Sequence, residues 1–326
     1  MNRLVRFVVL IAASCFAASV VLAQSAPTWT PADRNLRVEM LFPGGKTRAL
    51  VLSYDDSADS NRELVRLLNK YQLKGTFHLN SGKLSTKGGL DRAEVATLFR
   101  GHEVSIHGYN HIGMKGLSDL DLFYEVGEDR RALEALSGSH VRGMAYPFGS
   151  YSESLFTPLQ GMGMEYARTV VDSLSFGIPA NPLAWHPTIH KFGKAGDAGN
   201  TPEDNRAELA KFQKLTDDFL ASKEPALYYV WGHSWEYTTK WPQVEAFFQS
   251  VANRADIAYV THIELVDYLN AFKGLRISAD KTRFMNPAAQ DVFIRVTDYG
   301  ATHSQPVVMR IPAGQSASVG KRTTNG

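Results

Sequence analysis

The stretch ALVLSYDDSADSNRELVRLLNKYQLKGTFHL, residues 49–79, decides the fold. Its first six residues are apolar or β-forming and predict a buried strand. Ser60 followed by Glu63 is typical of a capping box, and the apolar spacing after it predicts a helix. Residues 75–79 predict the next strand. A strand, a helix and a second strand of these lengths form the unit from which parallel sheets are built.

The same alternation continues along the chain. We predict a second capped helix that opens with Asp91 and Glu94, a long helix at residues 118–136, and a late helix through Leu265 and Leu269. A long loop is predicted at residues 171–200, where Gly, Pro and Asn are frequent. The further predicted strands are residues 103–106, 141–146, 166–170, 186–189, 226–231 and 257–260. This pattern indicates an α/β fold with a parallel sheet, open or closed into a barrel. In such folds, chemistry collects at the carboxyl ends of the strands.

The first 23 residues predict a secretory signal peptide. Arg3 and Arg6 precede an apolar run that ends in Val21-Leu22-Ala23, and a run of about 16 residues is short for a bilayer span. Cleavage there would remove Cys15, the only cysteine, so the mature chain would have no disulfide and no thiolate chemistry. It would also leave 33 basic against 33 acidic residues, which gives no electrostatic footprint for nucleic acid.

Three polar motifs follow predicted strands. Asp55 and Asp56 close the first strand, His107-x-x-x-His111 leaves the third, and His233 follows the strong late strand. Taken singly, each has an ordinary structural explanation: a solvated turn for the aspartates, and packed histidines for the others. Together, one carboxylate and two neutral imidazoles would suit a metal ion with open positions, and the remaining carboxylate and histidine could act as base and acid. The set therefore indicates a mononuclear metal hydrolase.

Along residues 50–269 the ordered motifs resemble those of the NodB-type polysaccharide deacetylases, carbohydrate esterase family 4. The resemblance is carried by Asp55-Asp56, His107-x-x-x-His111, Tyr146-Pro147-Phe148-Gly149 and Trp231-Gly232-His233. It implies a distorted (β/α) barrel and one divalent metal, zinc first, with cobalt, nickel or iron(II) as alternatives. It implies that Asp56, His107 and His111 bind the metal, Asp55 is the base and His233 is the acid, and that the backbone N–H of Phe148 helps to hold the oxyanion. Tyr146, Pro147, Trp185 and Trp231 would contact substrate.

The chain departs from the family pattern in ways that concern substrate and tuning. Ala145 stands where the family usually has an arginine that orients the catalytic aspartate. The aspartate expected shortly before a tryptophan is not clear near Trp185, and Ser234 rather than an acidic residue follows His233, although Glu236 is close. Something other than residue 145 must therefore tune Asp55.

We accordingly expect three segments: the signal peptide at residues 1–23, a deacetylase domain at 24–272, and a small β-rich extension at 273–326 that ends in a disordered tail from about residue 320. The expected substrate is a glycan or acetylated amino sugar that loses N-acetyl groups. The alternatives are O-acetyl esters, small linear or cyclic amides, and a non-catalytic glycan-binding protein. No nucleic-acid partner and no stable membrane span in the mature chain are expected, and the sequence leaves the oligomeric state open.

Overall fold

A curled parallel sheet forms the centre of the protein. The computed structural model describes residues 35–192, 200–300 and 305–319, so the predicted signal peptide and the predicted tail lie outside the described residues. The strands are β1 (Leu36–Leu41), β2 (Arg48–Asp55), β3 (Thr76–Leu79), β4 (Glu103–Ile106), β5 (Gly143–Ala145), β6 (Tyr166–Arg168), β7 (Ile189–His190), β8 (Ala226–His233), β9 (Ile257–Tyr259), β10 (Arg276–Ile277), β11 (Arg283–Met285), β12 (Val292–Asp298), β13 (Val307–Ile311) and β14 (Ser316–Ser318).

Helices connect most of the parallel strands. They are α1 (Asn61–Lys70), α2 (Val95–Leu98), α3 (Asp119–Phe123), α4 (Asp129–Ser137), α5 (Phe156–Gly161), α6 (Pro202–Ala221), α7 (Trp241–Val251) and α8 (His262–Lys273). A π-helical turn, Tyr124–Glu128, joins α3 to α4, so the predicted helix at 118–136 is continuous but irregular. In the part of the chain that is described, no helix is both long and apolar enough to cross a membrane.

The sheet has the order β6-β5-β4-β3-β2-β8-β7, and β9 also pairs with β2. All of its pairings are parallel. Beyond β6, the Trp185 amide donates to Ala167 O at 2.9 Å and the Thr169 amide donates to Trp185 O at 2.9 Å. The segment that leads into β7 thus extends the β6 edge and brings the two ends of the sheet together. The predicted distorted (β/α) barrel is confirmed.

Alternate residues of the central strands face different layers. Leu50 and Leu52 of β2 belong to the larger apolar cluster, which the helices cover, whereas Ala49 and Val51 belong to a second cluster. Every residue of β2 is buried, as expected for a parallel strand with both faces covered. Asp55, which ends β2, follows the alternation of Ala49 and Val51 and therefore belongs to the second layer.

Two local expectations were wrong or incomplete. Ser60 does not cap α1: its backbone is already helical, with φ −62° and ψ −14°, and its hydroxyl is 2.8 Å from that of Ser234. The predicted elements also did not include α6, although Thr201 and Asp204 form a complete capping box at its start. That cap was the signal that could have located the helix.

The strands after α8 form two small antiparallel sheets, one of which also includes the N-terminal strand β1. Their orders are β1-β12-β13 and β10-β11-β14. The N-terminal strand β1 is paired along its whole length with β12. The boundary expected near residue 273 stays a prediction. The strand pairing shows that residues on both sides of it share one sheet.

Candidate active site

Strand register brings the predicted base and acid together. Asp55 ends β2 and His233 ends β8, and the two are direct partners in the parallel pairing. His233 Nε2 lies 4.0 Å from Asp55 Oδ2, and His107, the first residue after β4, has its Nε2 at 3.6 Å from the same oxygen. The carboxyl ends of three strands therefore bring two predicted histidines, His107 and His233, close to the predicted base Asp55.

The predicted metal ligands form a cluster beside that carboxylate. One ligand atom from each of Asp56, His107 and His111 lies within 4.8 Å of the others. His111 Nε2 is 3.6 Å and His107 Nε2 is 4.0 Å from Asp56 Oδ1. These distances and this donor set suit a divalent ion such as zinc.

The tautomer of His107 also fits a metal ligand. Its Nδ1 is 2.9 Å from the carbonyl oxygen of Ala145, so Nδ1 carries the proton and donates it, which leaves the Nε2 lone pair available to a metal ion. Burial lowers the pKa of His107, which favours the neutral form that binds metal. Ala145 thus contributes through its backbone, where a side chain was expected from the family pattern.

Strained backbone occurs at this cluster and the adjoining Phe148, which together hold three of the nine described non-glycine residues with positive φ. Asp56, His111 and Phe148 adopt left-handed conformations, with φ of 75°, 61° and 57°. Side chains with a Cβ rarely occupy this region, and such residues persist where the surrounding structure holds them. The Asp56 amide donates to His78 O at 3.0 Å, and Asn61 Nδ2 donates to Asp56 O at 2.9 Å, so this turn is fixed from both sides.

Buried polar side chains hold the His107–His111 loop. Asn80 Nδ2 donates to His107 O at 2.6 Å and to Gly108 O at 2.8 Å. Asp129 Oδ2 accepts from the His107 amide at 3.2 Å, and Glu125 Oε2 accepts from the Asn110 amide at 2.9 Å. Glu125 and Asp129 lie in and just after the π-helical turn. These three supporting side chains were not among the predicted site residues, because nothing in their spacing marks them.

Arg168 contacts Asp55 in the way that the family pattern expects of an arginine at position 145. It ends β6, is fully buried, and its Nη2 donates to Asp55 Oδ2. Its guanidinium also lies 4.4 Å from the ring centroid of Trp231. Burial alone would raise the pKa of Asp55, but the charge of Arg168, with smaller contributions from nearby histidines, holds it well below its usual range. Asp55 is therefore kept ionised.

Glu236 accompanies the predicted acid. It lies in a 3₁₀ turn, Ser234–Tyr237, directly after β8, with Oε1 3.1 Å from His233 Nδ1 and Oε2 3.1 Å from His190 Nε2. Burial opposes a charge on His233, but Glu236 and Asp55 outweigh it and raise the pKa of His233. Burial likewise opposes ionisation of Glu236, yet the two histidines lower the pKa of Glu236 to about 2. His233 is thus biased towards the protonated form.

Comparison with known proteins supplies the family. Residues 44–167 match the family model described as polysaccharide deacetylase. The chain carries a polysaccharide deacetylase domain. The matched region runs from the residues before β2 to β6. It contains Asp55, Asp56, His107, His111 and Phe148 and ends before His233.

Individual relatives of the deacetylase domain are distant. The uncharacterized protein YlxY of Bacillus subtilis is 23% identical over 177 residues, which is 53% of this chain and 54% of that protein, so the chain spans about half the length of this relative. A Mycobacterium smegmatis structure, provisionally named a polysaccharide deacetylase, is 17% identical, covers 72% of this chain and 94% of its own, and has a TM-score of 0.54. This likeness shows the shared fold. A family 4 acetyl xylan esterase from Clostridium thermocellum, solved with a cobalt ion, is 16% identical with a TM-score of 0.44 and covers 66% of this chain and 89% of its own.

The structure places the predicted substrate contacts largely inside the protein. Tyr146 and Pro147 are buried, Trp185 is 2% exposed and Trp231 is 7% exposed, so these side chains mainly support the site. The Tyr146 hydroxyl donates to Leu183 O at 2.9 Å.

Two other aromatic side chains are accessible beside the metal cluster. Phe148 is 70% exposed with its ring centroid 4.5 Å from that of His111, and Trp235 is 50% exposed with its indole N–H donating to Asp56 Oδ2 at 2.9 Å. Phe148 therefore offers an exposed ring in addition to the backbone role predicted for it, and Trp235 is the better candidate for substrate contact.

Proposed function

We propose that the chain is an exported, metal-dependent hydrolase that removes N-acetyl groups from an amino-sugar glycan. The observation that carries this proposal is the position of Asp55, whose Oδ2 lies 3.6 Å from His107 Nε2 in the Asp56–His107–His111 cluster and 4.0 Å from His233 Nε2. The match of residues 44–167 to the polysaccharide deacetylases supports a divalent metal and a glycan substrate. Export is supported by the signal-like residues 1–23.

Asp56, His107 and His111 would hold the metal. When bound, a divalent ion would lower the pKa of water and polarise a carbonyl, which is the chemistry that hydrolysis of an unreactive amide requires. The ionised Asp55 carboxylate accepts the proton of the attacking water, and Arg168 keeps that carboxylate in place. His233 then donates a proton from Nε2 to the departing nitrogen, and the products are acetate and a free amine.

The environment of His233 favours an amide over an ester substrate. An amine leaves poorly unless its nitrogen is protonated, whereas an alcohol leaving group depends less on a strong acid. Glu236, 3.1 Å from Nδ1, raises the pKa of His233 and so keeps the acid charged nearer neutral pH. The exposed faces of Phe148 and Trp235 would pack against sugar rings on either side of the reacting acetamide.

The test combines metal content with product analysis. Purified full chain is assayed for bound divalent metal and for acetate release from chitin oligomers and from peptidoglycan. We expect about one tightly bound metal per chain and metal-dependent acetate release from at least one glycan. His111→Ala should lose tight metal binding and activity together, Asp55→Asn should keep the metal and lose most turnover, and His140→Ala, at an exposed position, serves as the matched control.

Other outcomes would change the proposal in defined ways. Metal binding with hydrolysis only of O-acetyl esters or small amides would keep the site and change the substrate. A fully active Asp55→Asn protein would remove Asp55 as the base. A chain that binds no metal after reconstitution would fit a glycan-binding protein without this chemistry.

A further inference from the structure

We propose that His190, His233 and Glu236 form a second divalent-cation site, whose occupancy inhibits the hydrolase. The three residues offer ligand atoms that all lie within 4.8 Å of one another. They share no member with the Asp56–His107–His111 cluster. The cation site itself depends only on this geometry, whereas the inhibitory effect rests on the proposed function, in which His233 is the acid.

The distances are compatible with a shared ion. Glu236 Oε2 is 3.1 Å from His190 Nε2, and Glu236 Oε1 is 3.1 Å from His233 Nδ1. Two imidazoles and one carboxylate are a donor set that zinc and neighbouring transition metals prefer. His233 Nδ1 is buried, and Glu236 Oε1 is its charged neighbour. A cation bound to this nitrogen would face the same carboxylate.

The ligands are held by regular structure. His190 ends β7, which pairs with β8 through His190 and Trp231, and the rings of these two residues are 4.4 Å apart. The His190 amide donates to Asp172 Oδ1 at 2.8 Å. Glu236 Oε2 accepts from the His233 amide at 3.0 Å, which fixes the carboxylate. Ligands on strands with fixed side chains lose little freedom when an ion binds.

The cluster is open enough to be reached from solvent. The side chains of His190, His233 and Glu236 are 15%, 18% and 21% exposed. The corresponding exposures of His111 and Asp56 in the first cluster are both 25%, while His107 is 2% exposed. A hydrated cation can therefore reach the second cluster, and partial burial strengthens its attraction to Glu236.

A cation bound at this second site would prevent His233 from acting as the general acid. A cation on Nδ1 of His233 replaces the proton there, and that proton leaves to water. The ring becomes a neutral imidazole that still has hydrogen on Nε2 but is a much weaker proton donor than imidazolium. Glu236 is engaged by the same ion and can no longer support the charged ring. Excess metal is thus expected to slow the reaction while the first cluster stays loaded.

The test counts metal ions independently of activity. The full chain is treated with a chelator, and Zn²⁺ binding is measured by equilibrium dialysis, with Co²⁺ absorption as a second readout. Wild type should bind two equivalents, one tight and one weaker. His190→Ala and Glu236→Gln should each keep the tight equivalent and weaken the other by more than the roughly tenfold cost of losing an outer-shell partner. The exposed His140→Ala variant should bind two equivalents.

His111→Ala separates this inference from the proposed function. It should lose the tight equivalent and keep the weaker one, and retention of both would count against the first site only. Wild type that binds a single equivalent, or a folded His190→Ala protein that still binds two, overturns the second site.

Zinc inhibition of acetate release gives the functional readout. The midpoint should shift to at least about tenfold higher zinc in His190→Ala. An unchanged midpoint in a variant that has lost the weaker equivalent overturns the inhibitory role.

Discussion

Replacing Arg168 by methionine should destabilise the protein strongly, because the change leaves a buried carboxylate without its partner. Arg168 and Asp55 are 0% and 1% exposed, and the guanidinium donates to Asp55 Oδ2. Methionine fills a similar apolar volume, so the main loss is the charge. Removing one member of a buried ion pair costs about 3–5 kcal/mol. The lost contact with the Trp231 ring, at 4.4 Å, contributes about 1 kcal/mol of that range.

The assay is urea unfolding of the chelator-treated protein at pH 7.5, followed by tryptophan fluorescence. Asp55→Asn and the double variant complete a double-mutant cycle, in which the double variant should recover about 2–3 kcal/mol relative to the sum of the single losses. His140→Ala, at an exposed surface position, should change the free energy of unfolding by less than about 0.5 kcal/mol.

The loss of unfolding free energy caused by Arg168→Met should also decrease as the pH is lowered. Because the pKa of Asp55 is depressed in the folded protein, the stabilisation from its ionised form is present above the unfolded value of about 4 and is lost as the pH falls through the folded value. The penalty of Arg168→Met should therefore shrink as the pH is lowered towards 4, because burial without the guanidinium raises the pKa of Asp55 in the variant and lets it take up a proton. A penalty below about 1 kcal/mol at pH 7.5, or no coupling in the cycle, would refute the reasoning.

Three further predictions concern pH, the acid and the metal loop. Burial raises the pKa of Glu103 from 4.5 to about 7, so the folded state holds a proton that the unfolded state releases. Glu103 should lower the free energy of unfolding by up to about 3 kcal/mol between these pH values, and Glu103→Gln should reduce the decline measured in urea titrations by about that amount, leaving the share of the buried Asp129. His233→Ala should retain the tight metal but lower kcat on the glycan by about 10²–10⁴-fold, and a smaller loss would exclude it as the acid. Asn80→Ala removes donors to His107 O and Gly108 O and should weaken tight metal binding about 10–100-fold in a chelator competition, with an unchanged affinity counting against the role of this loop.

The parts of the site that sequence could predict share one physical origin. Asp55, His107 and His233 stand at or just after the ends of strands, and parallel strands present those ends at one edge of a sheet. A residue's position relative to a strand therefore predicts its location in the fold without any knowledge of side-chain packing. The same reasoning predicted the parallel sheet, because each strand and its connecting helix have distinct apolar periods.

Other features depend on contacts between distant parts of the chain. Arg168 meets Asp55 across 113 positions of sequence, and an arginine inside a strand has no spacing that reveals its partner. Trp185 and Trp231 looked like substrate contacts because both lie near motifs, but barrel closure buries them, whereas Trp235 stays accessible. Ser60 had the local pattern of a helix cap and instead contacts Ser234, because residues that meet across the fold override a weak local preference.

The pairing of β1 with β12 has a consequence for the timing of folding. Met40 faces Ile294, so the first described strand waits for roughly 250 further residues before its neighbour exists, which gives the protein many contacts of high sequence separation. At typical synthesis rates of about 5–20 residues per second, that delay is on the order of 10 to 50 s. During this interval β1 is an unpaired strand that could pair with another chain. Shortening the chain at residue 273 would make that transient hazard permanent, so removal of the last strands should reduce the yield of soluble protein before it affects any step at the active site.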